Sequence, residues 1–491
     1  MPGDVLWLVI ALPAAGSLLC LALPSARAIL AATAAGVPAI ATASGAVVWQ
    51  VFAQGPLMTT GRWLHLDALS AYHLAVMMLI FALSSVFARV YFGAEPVPLS
   101  RRRARRFGAL WYGALAAMAL VVLSNNLGIM WVGVEATTLL TAFLICLHVS
   151  PVSLEATWKY LIVCSVGVAF AFMGTLLMGS AAAACSLGGT QFLNWTYVHD
   201  IAPRLDPKVV KLAFIFLLVG YGTKAGLAPL HSWLPDAHSQ APAPVSALFS
   251  GFLLNTALYC IMRFIPIVEM ATGNAGWSRG LLVFFGLFSI LLAAAFILAQ
   301  HDLKRLLAYH SVEHLGIIAV GLGLGPLGSF AALFHTLNHS VCKALGFFSA
   351  GRVGQIYGTH DMRRITGALK AHALWGAGLF GSILALIGLA PFAIFLSEFL
   401  IVKAAAETRA YGTLVIFLAG AGVVFIGALR HAIDMAWGTP AAAPAPRRTS
   451  VLEGALVVAP LALLLVLGLW MPRPFQDMLS SAARILGGAA Q

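Results

Sequence analysis

The strongest constraint on this chain is a succession of apolar stretches, each close to the roughly 20 residues that cross a bilayer as a helix. They fall at about 4–24, 28–54, 68–93, 107–124, 126–148, 155–183, 209–230, 242–266, 277–299, 302–323, 327–349, 372–402, 411–435 and 451–471. Only helices and closed barrels satisfy their backbone polar groups in lipid, and runs this long and continuous favour helices. The expectation is an all-α polytopic membrane protein with about fourteen transmembrane helices. Composition agrees: 61% of the 491 residues are apolar and 9% charged, and the mean hydropathy is +0.93. A soluble domain averages about 45–50% apolar and about 25% charged. Disorder, collagen, coiled coil and a disulfide-rich scaffold are excluded on the same figures. Asp4 precedes the first run and no Lys or Arg does, so it reads as the first span and not as a signal peptide.

The net charge of +12 does not point to nucleic acid. The one dense run, Arg101 to Arg106 (RRRARR), lies between apolar segments, where positive charge is a topology signal, and no basic domain or stacking platform accompanies it. With the N-terminus outside, the inside loops hold sixteen Lys and Arg and the outside loops ten, with Arg263 counted outside and Lys304 and Arg352 inside. The bias predicts both termini outside a plasma (inner) membrane. Cys20, Cys146, Cys164, Cys185, Cys260 and Cys342 are scattered without a C-x-x-C, so no iron–sulfur cluster or structural zinc is indicated and no cofactor is expected. In the outside connection 184–208, Trp195 and Tyr197 suit the membrane interface, and Thr439 to Pro446 reads as a Pro/Ala loop.

One tetrapeptide occurs twice. Gly226-Leu227-Ala228-Pro229 and Gly388-Leu389-Ala390-Pro391 each fall late in or inside an apolar span. Proline removes a backbone donor and breaks the helix, and irregular backbone at membrane depth persists only against protein or water. A matched pair of interrupted helices points to an inverted-repeat transporter, although these four residues are common enough here for coincidence.

Ionisable groups in spans are costly and so are functional candidates. Glu135 has no positive neighbour in sequence; Lys159, opening the next helix, is its expected partner. Lys224 precedes the first break, and Glu398 follows the second by seven residues. His335, His339 and Lys343 share one helix stripe. A proton wire suits them better than a metal, because imidazole both donates and accepts and no third ligand is near in sequence. His310-Ser311-Val312-Glu313-His314 matches H-x-x-E-H, the inverted zinc-protease pattern. At the start of an apolar span it reads better as a polar cluster continuing the wire.

These residues carry a resemblance. VGYGTKAGLAPLHSWLPDAHSQAPAPVSALFSG (219–251), HTLNHSVCKALGFFSAG (335–351) and PFAIFLSEFL (391–400) resemble the antiporter-like membrane subunits shared by respiratory complex I, multisubunit cation antiporters and membrane-bound hydrogenases. EATWKY (155–160), LAYHSVEHLG (307–316) and Asn255, where complex I subunits usually carry lysine, make the F-type membrane component of hydrogenase-4 the nearest branch. The resemblance implies fourteen helices with two inverted five-helix repeats broken at Pro229 and Pro391. A three-helix segment (1–106) would precede repeats at 107–266 and 277–435, followed by a C-terminal helix and tail (451–491). It implies proton transfer through Glu135, Lys224 and Glu398, with Lys159 modulating and the histidines relaying. Partners would be other membrane subunits of a respiratory or hydrogenase complex, within the lipid bilayer. The rival readings are a cation/proton antiporter module, a membrane partner of an inorganic-carbon uptake system, and an intramembrane enzyme.

Overall fold

The structure is a computed structural model that describes residues 2–95, 97–185, 191–440 and 449–487. Most of the Pro/Ala loop lies outside the described residues. The chain is a multi-pass, all-α membrane bundle. The helices that build it are α1 (Leu6–Ala22), α2 (Ala26–Gln54), α3 (Ala68–Gly93), α4 (Arg101–Leu123), α5 (Leu127–Ile145) and α6 (Pro151–Ala184). Then come α7 (Pro207–Ala225), α8 (Trp233–Gln240), α9 (Ala243–Thr272), α10 (Ala275–Leu298), α11 (Leu303–Gly323) and α12 (Gly325–Tyr357). The last are α13 (Ala373–Leu386), α14 (Ala393–Glu407), α15 (Tyr411–Ala436), α16 (Val451–Leu469) and α17 (Arg473–Leu486). A two-stranded antiparallel hairpin, β1 (Leu57–Met58) with β2 (His65–Leu66), links α2 to α3.

Among the described residues, 11 helices are long and apolar enough to cross a membrane. The polar helix α12 and the pairs α7/α8 and α13/α14 stand outside that count. The bundle has an inside and a sheath. The most apolar stretch of α9 is 100% buried and that of α11 is 94% buried, whereas in α1, α2, α6, α10, α15 and α16 the share is 22–39%. From Gly328 to Gly354, α12 is buried almost throughout. Polar side chains thus concentrate on helices that never meet lipid, and large apolar ones line those that do.

Both Gly-Leu-Ala-Pro copies sit at helix interruptions, and their backbones match. Helix α7 ends where Gly226 turns left-handed (φ +82°), and α13 is followed by Gly388 at φ +68°. At each, the next residue's N–H reaches back five positions: Leu227 to Gly222 O at 2.9 Å and Leu389 to Leu384 O at 3.2 Å. This is the Schellman closure that satisfies orphan carbonyls at a helix end. A four-residue turn around a cis proline follows, with Leu230 N–H on Leu227 O and Phe392 N–H on Leu389 O. The repeated sequence is a repeated structure.

Three sequence expectations change. The arginine run is not a loop: Arg101 starts α4, five residues before the boundary expected at 106. Its Arg105 donates to Leu23 O at 3.2 Å, meeting a carbonyl at the end of α1, where a cation complements the helix dipole. Arg263, Lys304 and Arg352, counted as loop charges, are buried. Arg263 pairs with Asp67 at 2.5 and 2.8 Å, and Arg352 meets Glu453 at 3.3 Å. Trp195 is buried and donates to Arg263 O at 2.8 Å, so it packs on protein and not on the interface.

The left-handed caps give the first prediction. A Cβ at 226 would stand 2.4 Å from Leu234 Cδ1 in a backbone that alanine adopts poorly. Gly226→Ala is expected to cost about 1–2 kcal/mol and to lower the thermal midpoint of the purified protein in detergent. Gly412→Ala, on an open helix surface with nothing within 4 Å, should leave or raise the midpoint in the same thermal scan, since alanine is the better helix former.

Candidate functional site

The ionisable groups chosen from the sequence form a band through the bundle interior, with one exception. Lys224, in the last turn of α7, is 1% exposed. Its ammonium donates to Tyr160 Oη at 2.5 Å and Thr138 Oγ1 at 3.0 Å, and lies 4.6 Å from the Tyr160 ring centroid. Tyr160 is also 2.6 Å from Thr141 Oγ1. No carboxylate balances this cation directly. Glu135, one turn before Thr138 on α5, accepts from Ser165 Oγ at 3.2 Å, and its other carboxylate oxygen is buried without a protein partner.

Lys159 is the exception. It does not pair with Glu135. Its ammonium binds Glu155 at 2.7 Å and Asp236 at 3.1 Å, and its side chain is 49% exposed. Asp236 also holds Arg305. These groups line an open cleft of about 400 Å³ with Gln240 and Asp302. The pairing ties Lys159, near the start of α6, to Asp236 on the half-helix α8, at one end of the bundle and not in the mid-membrane band.

The second half of the band is histidine-rich. His310, His314, His335, His339 and Lys343 are all 0% exposed, and Glu313 is 3% exposed. His310 Nδ1 lies 2.9 Å from Glu313 Oε2. His314 Nδ1 lies 2.9 Å from His335 Nε2, and His335 Nδ1 is 2.9 Å from Ser397 Oγ. His339 stacks obliquely on His314 with ring centroids 5.3 Å apart, and its ring nitrogens have no protein partner. Lys343 donates to Leu307 O and sits 5.4 Å from the Phe347 ring centroid. The stripe on α12 therefore meets α11 on one side and, through Ser397, α14 on the other. Glu398 sits beside Ser397, and a Cβ at Gly388 would fall 2.3 Å from its Oε2. The second helix break thus has no side chain at 388 where the carboxylate lies.

Sequence reasoning missed several members. His238, on α8, is fully buried, has no protein partner at either ring nitrogen, and stacks on Phe347 at 5.0 Å. It belongs to the Leu-Pro-Asp-Ala-His run after the first break, so the motif itself was the available signal. Tyr160, which holds Lys224, is one residue beyond Lys159 and faces inward where Lys159 faces out. Ser250 meets Ser311 at 2.7 Å within a π-helical turn, Phe249–Leu253. No spacing rule announces such a turn, which recurs at functional sites.

The fold also supplies the third ligand that sequence spacing lacked. Ligand atoms of His314, His335 and Glu398 lie within 4.8 Å of one another, as do those of His310, Glu313 and His314. Three hydrogen bonds run along this set, His310–Glu313, His314–His335 and His335–Ser397, and leave His310 Nε2 and His314 Nε2 without a protein partner. The arrangement is chemically a chain of alternating donors and acceptors. With His314 Nδ1–H facing His335 Nε2 and His335 Nδ1–H facing Ser397, one proton can be handed along two rings by a tautomer exchange.

Comparison with known proteins is consistent with this architecture. Residues 124–424 match the family described as "NADH:quinone oxidoreductase/Mrp antiporter, TM". A hydrogenase-4 component F homologue of Methylacidiphilum infernorum is 39% identical over 70% of this chain and 73% of its own length. Hydrogenase-4 component B of Escherichia coli is 31% identical over 68% of this chain and 50% of its own. A chain of the Mrp complex from Dietzia superposes with a TM-score of 0.86 at 21% identity, covering 99% of this chain and 97% of that one.

Two measurements check the site. Purified protein analysed for metal by mass spectrometry is expected to carry no stoichiometric zinc or copper; a full equivalent lost in His314→Ala would make the cluster a metal centre. Lys159→Ala, which breaks two ion pairs at an open cleft and leaves Asp236 paired with Arg305, should leave the thermal midpoint nearly unchanged in the same thermal scan.

Proposed function

This chain belongs to the NADH:quinone oxidoreductase/Mrp antiporter membrane family, and we propose that it is the proton-translocating membrane subunit of a hydrogenase-4-type oxidoreductase complex. One observation carries the reading: titratable side chains run from Glu135 through the buried Lys224, histidines and Lys343 to Glu398, and pass both helix breaks. In this reading the three spans uncounted by length and hydropathy, α12 and the two interrupted pairs, raise the total to fourteen. Repeats at 107–266 and 277–435, flanked by 1–106 and 451–491, would be inverted about the two breaks; the shared backbone closure at Gly226 and Gly388 supports this. The N- and C-termini face outward, and the membrane is the inner one.

The chain's residues divide the work. Tyr160 and Thr138 hold the Lys224 ammonium by hydroxyl oxygens and not by a carboxylate. A cation fixed by neutral partners can release its proton without leaving an unpaired anion in lipid. Glu135 tunes Lys224 from a turn away on α5. The carriers His339, His314 and His335 pass the proton between α12 and α11, with Lys343 beside them as the second lysine. Glu398 is the last carrier, reached past Ser397. The cleft of Lys159, Asp236 and Arg305 is the polar opening at the face opposite the hairpin. Electron transfer would take place in partner subunits of the complex.

Lys224→Met tests the carrier step. Methionine nearly matches the stem in length and apolar volume, so packing survives, and the two lost charge-assisted hydrogen bonds, about 1.5–3 kcal/mol each, are offset by no longer burying an ammonium. The complex should assemble in normal amount yet lose most of its proton movement per electron transferred. Internal pH is followed in vesicles during electron transfer. Wild-type flux at equal subunit content would make Lys224 a structural partner. Identification of co-purifying subunits separates the assemblies: nickel and iron–sulfur subunits mark a hydrogenase, a flavin subunit marks complex I, and a soluble zinc subunit marks carbon uptake.

A further inference from the structure

A second buried cluster lies away from this chain of carriers, at the face that bears the β-hairpin. Arg263, near the end of α9, is 4% exposed and Asp67, which caps α3, is 2% exposed. Arg263 donates to both Asp67 oxygens, to Ser70 Oγ and, through Nε, to Tyr259 Oη at 2.8 Å. The guanidinium also lies 4.6 Å from the Trp195 ring centroid, so the outer connection roofs the pair. Burial pushes the Asp67 carboxyl up, but the adjacent guanidinium wins and holds it well below the usual carboxylate range.

A saturated ion pair alone would be a structural tie. Two features beneath it are not explained by a tie. Asn255, Tyr259 and Arg263 stand four residues apart, so they form one stripe on α9, starting just past the π-helical turn. At the inner end of the stripe Asn255 donates to Ser340 Oγ at 3.1 Å, on α12 next to His339. Its Oδ1 is buried without a protein partner. Across from the stripe, His73 of α3 is 0% exposed, with its ring centroid 5.0 Å from that of Tyr259. Its Nδ1 lies 2.9 Å from Leu69 O, which fixes the proton there, and its Nε2 has no protein partner. Buried polar atoms are satisfied by protein or by water. An amide oxygen and an imidazole base, both unpaired, therefore mark a polar branch between the carriers on α12 and the outer pair.

We propose that Asn255, His73, Ser70 and Tyr259 form a second, outward proton outlet in mid-chain, latched shut by the Asp67–Arg263 pair. It rests on the proton-transfer reading above. The step balances without electrons. A water that has taken a proton from the carriers on α12 passes it to His73 Nε2, so one O–H bond breaks as one N–H bond forms. The same nitrogen gives it up toward the Ser70 and Tyr259 hydroxyls, and it leaves on Asp67 to outer water when Arg263 swings off. Each bond formed is matched by one broken, and Asp67 returns to the carboxylate. While the latch is closed Asp67 cannot accept, so the central carriers stay insulated from the outer face.

The test is passive and needs no electron transfer, so its failure is separate from that of Lys224→Met. The purified complex is reconstituted in vesicles with an internal pH dye, and a potassium–valinomycin potential is imposed. R263Q removes the latch cation, keeps a polar amide beside Asp67 and leaves the carboxylate free to accept a proton. It should raise the proton leak by roughly tenfold, the effect of lowering a barrier by about 1.4 kcal/mol. Adding H73L should return the leak to the wild-type rate. A tight R263Q, or a leak that survives H73L, overturns the proposal. If R263Q does not assemble, H73L alone decides. At equal subunit content during turnover, it should at least halve outward flux, and unchanged flux overturns the outlet.

Discussion

A polar helix can cross a bilayer only if other helices surround it, and α12 is the polar helix here. It carries His335, His339 and Lys343 at zero exposure. Each would cost a few kcal/mol or more if turned to lipid. The remainder of the bundle follows from that demand. The buried helices α9 and α11 present Asn255 and His314 to it, and apolar helices form the sheath. The wide range of burial among the spans, from 22% to 100% of their most apolar stretches, is the outcome of one polar stripe needing cover on every side.

The two helix breaks depend on the same condition. An interrupted helix frees backbone groups that lipid cannot satisfy. Both breaks answer locally, through a left-handed glycine and a reach-back hydrogen bond. Glycine serves twice at the second break. It permits φ +68°, and it clears the space where the Glu398 carboxylate lies. A side chain at that position would displace the carboxylate as well as strain the backbone. The break and the seat of the carboxylate are therefore one device.

Much of this was legible in the sequence because its signals are local. Apolar run length located nearly every span, and the repeated Gly-Leu-Ala-Pro located both breaks. The cost of buried charge picked out Lys224, His335, His339, Lys343 and Glu398 without any alignment. The failures concern partners. Lys159 and Tyr160 are adjacent in sequence but face opposite ways, so the lysine went to Asp236 on a later half-helix while the tyrosine went to Lys224. Arg263 looked like a loop charge at a span end because its counter-ion, Asp67, is 196 residues away. Pairing across a bundle is set by which helices touch, and helix order in sequence does not carry that. The π-helical turn at Phe249–Leu253 likewise arises from packing: it resets the face of α9 so that Ser250 meets Ser311 and Asn255 meets Ser340.

Enclosure by the chain's own helices is uneven along the band. Lys224, Lys343 and the histidines are fully covered, but Glu135 and Glu398, which stand at its two ends, belong to residues that remain partly exposed. A membrane-embedded carboxylate that meets lipid is far more costly than one that meets protein. The lysines and histidines are therefore enclosed by this fold alone, whereas Glu135 and Glu398 stand where the cover is thinner. Protein packed on those two flanks would complete the enclosure, because it is at its acidic ends that the polar band comes nearest the surface of the bundle.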